Sequence, residues 1–258
     1  MRVMTWNVLV GAEDRFDAIL SRISRTRPDL LVLQECLGWE DRVRLRRVCD
    51  ALGIPDDSRH TVLGPARPRG SGKRYHVAVV SRPTLDMVVT HNDPKVLGHC
   101  LVEAVIGDWT LWGAHFDSHT EDLRVVEARY LRSRIDPQRF ASRKFLLAGD
   151  LNAISRRDPY PADLAAKVAA AGTDKFGHPP RFDTIGELES AGWVDLLYAG
   201  RKPKRWITAS RDRGGVHIDY RTDYLFASPA LASTLKSIEV VEAAGASDHD
   251  AVVADFTQ

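Results

Sequence analysis

The chain has 258 residues, 44% of them hydrophobic, which is enough for a sizeable core, and α/β and all-β architectures of this length commonly form one domain. Lys and Arg number 36 against 35 Asp and Glu, so no global basic field marks a dedicated nucleic-acid binder, and any anion recognition has to be local. The three cysteines, Cys36, Cys49 and Cys100, have no C-x-x-C spacing and point to neither a disulfide framework nor a thiolate zinc site.

Residues 2–10 read as a strand, and "DRFDAILSRISRT" places Phe16, Ile19, Leu20 and Ile23 on one helical face. "PDLLVLQE" is a proline-started apolar run whose length suits a buried strand, and a second helix is expected over 38–52. Between 74 and 116 four β-rich segments, "RYHVAVVS", "LDMVVTH", "HCLVEAVIG" and "WTLWGAHF", follow without helices and predict an antiparallel meander. A charged helix is expected at about 120–136, then a short strand "KFLLAGD", then helices at 160–171 and 184–191. The remaining strands are "RWITAS", "TDYLFAS", "SIEVVEA" and "DAVVADF". Two groups of strands with their own helices imply an α+β fold of two mostly antiparallel sheets packed face to face and flanked by helices. No run approaches the roughly 18 apolar residues of a membrane span, and "MRVMTWNVLV" lacks the pattern of a secretion signal. One domain over residues 1–258, cytoplasmic and without membrane contact, is expected.

Polar groups fall at the strand ends. Asn7 interrupts the first strand, Glu35 ends "LLVLQE", His115 ends "LWGAH", Asp150 and Asn152 follow "FLLAG", Asp223 opens "DYLF", and Asp248 and His249 precede the last strand. Singly, each has an ordinary explanation as a strand terminus, a turn or a loop hydrogen bond. Jointly they imply convergence on one pocket if the tips share one rim.

The ordered motifs "TWN" (5–7), "LQE" (33–35), "GDLN" (149–152), "RTDYLFAS" (221–228) and "SDH" (247–249) resemble those of the endonuclease/exonuclease/phosphatase superfamily, in the right order over nearly the whole chain. The resemblance implies a four-layer α/β/β/α sandwich and a Mg²⁺-dependent phosphoesterase, with Mn²⁺ as a substitute, that cleaves a phosphodiester by in-line attack of water. Hard oxygen donors select such a cation. Glu35 is the leading ligand; the resemblance adds Asn7 beside it and Asp248 on the far side of the metal or at a second ion. His249 is the proton-handling group, and a carboxylate partner would fix its tautomer. The resemblance gives that role to Asp223, with Asp219 as the rival by two-residue alternation. It also implies that Asp150 orients or deprotonates the nucleophile, that Asn152 donates to the phosphate, and that His115 donates to a nonbridging oxygen. Whether a carboxylate or an imidazole is the base stays open.

Leu9 and His115 depart from the pattern of apurinic endonucleases and lean toward the deoxyribonuclease-like, tyrosyl-DNA phosphodiesterase-like and sphingomyelinase-like branch, while Thr222 and Ala251 depart from many members. Basic loops are the remaining clue to substrate. "ARPRGSGKR" gathers Arg67, Arg69, Lys73 and Arg74, Arg156 and Arg157 follow "GDLN", and "RKPKR" runs into Trp206. Arg74, Arg156 and Trp206 are the candidate substrate contacts, since a nucleic-acid strand or nucleotide could lie along the cations while the indole stacks on a base. The rival readings are a phosphomonoesterase, a sphingolipid or inositol-phosphate hydrolase, or an inactive binding scaffold on the same fold.

Overall fold

The structure is a computed structural model and describes residues 1–68, 72–200 and 203–257. In chain order its first half comprises β1 (Arg2–Asn7), α1 (Phe16–Thr26), β2 (Leu30–Gln34), α2 (Val43–Leu52), β3 (Thr61–Gly64), β4 (Val77–Ser81), β5 (Met87–His91), β6 (Leu101–Ile106), β7 (Trp109–His115) and α3 (Glu121–Ser133). The second half adds α4 (Pro137–Ser142), β8 (Lys144–Asp150), α5 (Leu164–Ala170), α6 (Asp183–Ser190), β9 (Val194–Asp195), β10 (Ala209–Arg213), β11 (Val216–Tyr220), β12 (Asp223–Ala227), α7 (Pro229–Ala232), β13 (Leu235–Val241) and β14 (Ala251–Phe256).

Two six-stranded sheets form, with orders β13-β14-β1-β2-β4-β3 and β5-β6-β7-β8-β12-β9, and β10 pairs β11 in a separate hairpin. The pairs β1/β2 and β7/β8 are parallel, and the other pairings among the described residues are antiparallel. Strands buried on both faces read as unbroken apolar runs, and period-2 alternation divides them between two cores. Along β2, Leu30 and Val32 face the inter-sheet core with Val79, Val102, Leu111, Leu146 and Leu225. Leu31 and Leu33 face outward onto Ile19, Ile23, Leu45 and Val48 of α1 and α2. On the other outer face Trp112, Leu147 and Phe226 meet Ala128, Leu131 and Leu188 of α3 and α6. Each fully buried side chain of this kind contributes roughly 1.5–3 kcal/mol. The layers are therefore helix, sheet, sheet, helix, as expected from the sequence.

The meander is corrected in one respect. "RYHVAVVS" becomes β4, which joins β2 and β3 in the first sheet, and only β5, β6 and β7 form the antiparallel run in the second. The second helix begins at Val43 and not at residue 38, because Trp39 is fully buried as a plug and the Asp41 carboxylate accepts the Val43 amide at 3.0 Å. "RWITAS" is a strand only from Ala209, and its partner β11 turns back at Gly214 and Gly215, both at positive φ. That hairpin separates Asp219 from Asp223. Ser210 donates to Asp219 at 2.6 Å and His217 lies 2.9 Å from it on the exposed hairpin, whereas Asp223 opens β12 in the second sheet.

Candidate active site

Topology brings the strand tips to one rim. The parallel pair β1/β2 ends with Asn7 opposite Gln34, the parallel pair β7/β8 ends with His115 opposite Asp150, and the antiparallel β12 starts with Asp223 opposite Asp150. The antiparallel β14 returns along β1, so His249, just before it, arrives at the same end. Gly149 is needed for the second group: a Cβ there would lie 1.9 Å from the Ala114 carbonyl oxygen, so only glycine lets β7 and β8 approach just ahead of Asp150.

Asp150 is the hub. Asn7 Nδ2 donates to its Oδ2 at 3.0 Å and to Glu35 Oε1 at 3.2 Å, while Asn7 Oδ1 accepts the Leu9 amide at 2.9 Å. The amide orientation is fixed by these partners, because an N–H must meet an oxygen and the NH₂ must meet the carboxylates. Glu35 Oε2 also accepts the Val10 amide at 2.9 Å, and Glu35 itself sits at φ 58°, which turns its side chain back over the strand end. Asp150 Oδ1 accepts the Asn152 amide at 2.8 Å, and Asn152 donates its side-chain Nδ2 to the Phe116 carbonyl at 3.0 Å.

On the other side of Asp150 stand the two imidazoles. His249 Nδ1 is 2.8 Å from Asp223 Oδ2, and its Nε2 is 3.9 Å from Asp150 Oδ2. Its backbone is held by two contacts: Trp6 Nε1 donates to the His249 carbonyl at 2.7 Å, and Ser247 Oγ accepts the His249 amide at 3.2 Å while donating to the Asn7 carbonyl at 2.8 Å. Thr208 Oγ1 accepts the amides of Thr222 and Asp223 at 3.1 and 3.2 Å. His115 Nε2 lies 3.8 Å from Asp150 Oδ2, and among the described residues neither ring nitrogen of His115 has a hydrogen-bond partner although both are buried. Its ring stacks on His99 with centroids 4.0 Å apart and planes 4° from parallel.

The electrostatics follow from that packing. Burial works against the His249 imidazolium, but the carboxylates of Asp223 and Asp150 outweigh it and hold its pKa up at about 10. Burial also pushes Asp223 up to about 6, against the nearby imidazolium. Burial lowers His115 despite the pull of Asp150 and Glu35, which keeps it neutral with one N–H to donate. For Asp150 burial favours the acid form, yet the positive charges of His249 and Lys175 and the Asn152 amide bring its pKa below the ordinary value.

Ligand atoms of Asp150, Asp223 and His249 lie within 4.8 Å of one another, and Asp223 Oδ1 is buried without a hydrogen-bond partner among the described residues. With Glu35 and Asn7 adjoining Asp150, the donor set is dominated by oxygen and fits a hard divalent cation.

Six of the sequence-derived residues, Asn7, Glu35, His115, Asp150, Asp223 and His249, are thus linked through short distances, and Asn152 adjoins them. Asp248 is exposed and reaches the site through its charge on His249 and Tyr220. The candidate substrate contacts lie outside the cluster. Arg74 is exposed near Glu40, Arg156 sits 4.9 Å over the Phe182 ring, and Trp206 meets Tyr160 edge-on at 5.0 Å. Arg69, Arg201 and Lys202 of the basic loops lie outside the described residues. Arg129 bonds Glu187 at 2.8 Å and ties α3 to α6, exposed His119 precedes the cap residue Thr120, and Asp250 is half-buried and accepts the Ala243 amide at 2.8 Å. Sequence reasoning missed Thr208 and Lys175, which carry no motif, and passed over Trp6 and Ser247 although both lie inside quoted motifs.

A sequence model described as "Endonuclease/Exonuclease/phosphatase family" matches residues 4–249. No curated protein matches the chain significantly. Among solved structures, the chain is similar to an endonuclease/exonuclease/phosphatase family protein from Leptotrichia buccalis C-1013-b, with TM-score 0.71 and 15% identity over 100% of both chains. It is also similar to an AP endonuclease from Archaeoglobus fulgidus, with TM-score 0.68 and 19% identity over 100% of both chains. A 3′ phosphatase from Neisseria bound to product DNA hairpin matches with TM-score 0.68 and 20% identity, again over 100% of both chains. At such identities the likeness is one of fold.

Proposed function

The chain belongs to the endonuclease/exonuclease/phosphatase family, and from that premise we propose that it is a Mg²⁺-dependent phosphoesterase that cleaves a phosphodiester in nucleic acid or a nucleotide by in-line attack of water. The observation that carries this reading is the environment of Asp150, a buried carboxylate held by Asn7 at 3.0 Å and faced by His115 and His249 at 3.8 and 3.9 Å. A fold needs no such convergence of ionisable groups in one buried spot, where unpaired polar atoms are costly.

Glu35 and Asp150 would hold the cation, with Asn7 donating to both carboxylates and so fixing their spacing; when bound, it withdraws charge from the phosphate oxygens and makes water more acidic. The chain's own residues supply the rest. Asp150, whose pKa lies below the ordinary value, accepts a hydrogen bond from the attacking water and aims it. His115, neutral and with both nitrogens unpartnered among the described residues, donates its one N–H to a nonbridging oxygen, where negative charge grows in the transition state. His249, charged and locked by Asp223, turns Nε2 toward the same space to stabilise charge and to move a proton to or from the reacting oxygens.

The test is a parallel panel of single-stranded and duplex DNA and RNA, nucleotides, and lipid and sugar phosphodiesters and monoesters, each with Mg²⁺ and with chelator. Mg²⁺-dependent cleavage of a nucleic-acid or nucleotide diester is expected, with binding of a polyanionic strand weakening steeply as salt rises. Hydrolysis confined to monoesters or lipids would move the substrate, and no Mg²⁺-dependent hydrolysis anywhere in the panel would end the proposal.

A further inference from the structure

We propose that Lys175 is an anion-binding residue of the catalytic rim, its ammonium group meeting a nonbridging oxygen of the substrate phosphate across from Asp150. This deepens the reading of the site as a phosphoesterase and rests on it. Lys175 lies in the turn between α5 and α6, far in sequence from every strand tip. Its backbone is pinned: the amide donates to Thr173 Oγ1 at 3.2 Å, and the carbonyl accepts from Arg124. Arg124 is itself fully buried, donating to Glu121 at 3.0 Å and to the Asp117 carbonyl at 3.1 Å. The Lys175 side chain lies on two aromatic faces, with Nζ 5.4 Å from the Tyr220 centroid and 5.6 Å from that of Phe176. The ammonium is therefore held in place rather than free to swing.

Two lysines of the fold sit on carboxylates, Lys144 on Asp108 at 2.7 Å and Lys167 on Asp163 at 3.7 Å. Among the described residues Lys175 makes no salt bridge, and its anchors lead to the rim: Arg124 bonds both the Lys175 carbonyl and that of Asp117, two residues beyond His115, while the ammonium lies on the ring of Tyr220, three residues before Asp223. In keeping with that placement its charge acts on Asp150 and His115. A rigid, half-buried cation beside carboxylates but not paired with one stabilises the fold little. Its placement makes sense for an anion that enters between it and Asp150. The rim needs such a charge, because Glu35, Asp150 and Asp223 repel a phosphate while His115 is kept neutral and His249 is engaged by Asp223. Exposed Arg211 on the hairpin adds a second positive charge on the same side.

Titration of inorganic phosphate into the Mg²⁺-loaded protein reads this site without turnover. Replacing the ammonium by a thioether of similar length, Lys175→Met, should weaken phosphate binding by about tenfold to a hundredfold, the range for one charge-assisted hydrogen bond. Lys175→Arg should restore most of it, and the exposed control Lys95→Met should change nothing. In wild-type protein the Lys175 Cε resonance should shift as phosphate is added, which needs no variant to fold. A wild-type protein that binds no phosphate, a Lys175→Met variant within twofold of wild type, or an unmoved Cε resonance overturns the proposal. The two readings fail separately. Phosphate bound through Lys175 without hydrolysis of any ester would sink only the phosphoesterase reading, and normal turnover with unchanged phosphate affinity in Lys175→Met would sink only the anion site.

Discussion

His249 Nδ1 and Asp223 Oδ2 are 2.8 Å apart in a buried setting, so the imidazole can neither rotate nor exchange tautomers without breaking that contact. This pair holds more protons when folded than when unfolded, since His249 is raised to about 10 and Asp223 to about 6. For both groups the sign is the same: stability is full below the unfolded pKa and falls as pH rises through the folded one. In chelator, thermal stability should therefore decline from about pH 6.5 through pH 10, the window of His249, with Asp223 adding a decline between about pH 4 and 6. Asp223→Asn should flatten the His249 part of that slope and lower the midpoint of its imidazole resonance in a pH titration. A variant with the wild-type slope and midpoint would show that the pair is not coupled.

Asp150→Asn and Glu35→Ala should each lower turnover by roughly 10²–10⁴-fold, the scale of a positioned acid–base or electrostatic group, while leaving the protein folded. Steady-state kinetics beside thermal melts checks this. Near wild-type turnover in both variants contradicts the assigned roles.

Loading with Mg²⁺ should release protons, because a cation among Asp150, Glu35 and Asn7 competes with the excess proton of the His249–Asp223 pair. Calorimetry in two buffers of different ionisation enthalpy should show proton release, with affinity rising between pH 6 and 9. An affinity independent of pH would place the cation away from this pair.

Glu127, on α3, is buried and accepts the Gly98 and Asp117 amides at 2.7 Å each, tying together the segments that precede His99 and follow His115. Glu127→Ala leaves both amides without their acceptor, which costs about 1–3 kcal/mol apiece. Glu127→Gln presents an NH₂ to one of them and should recover only part of the loss. Denaturant unfolding with hydrogen exchange at Gly98 and Asp117 measures both effects.

The strands and their tips were legible because the polar groups interrupt long apolar runs at a fixed place, the end of each run. Asn7, Glu35 and Asp150 stand out for this reason even before any pairing of strands is known. β3 was missed because "TVLG" is short and half of it is only partly buried, so no alternation marks it. Asp219 competed with Asp223 only while residues 219–223 were taken as one strand; Arg221 and Thr222 interrupt it, with Arg221 drawn inward to Asp195 at 2.6 Å. Lys175 and Glu127 were illegible for a different reason. One lies in a turn and the other on a helix, and what makes each of them matter is a neighbour more than twenty residues away in sequence.

The clustered polar groups belong to different layers: Asn7, Glu35 and His249 are delivered by the first sheet, and His115, Asp150 and Asp223 by the second. Their alignment is thus a property of the seam, held by side chains such as Val32, Val79 and Leu111 in the shared core. Loosening that seam by trimming Leu111 should misalign the two half-sites while each sheet keeps its own hydrogen bonds. Hydrolysis would then vanish before circular dichroism registers any loss of strand.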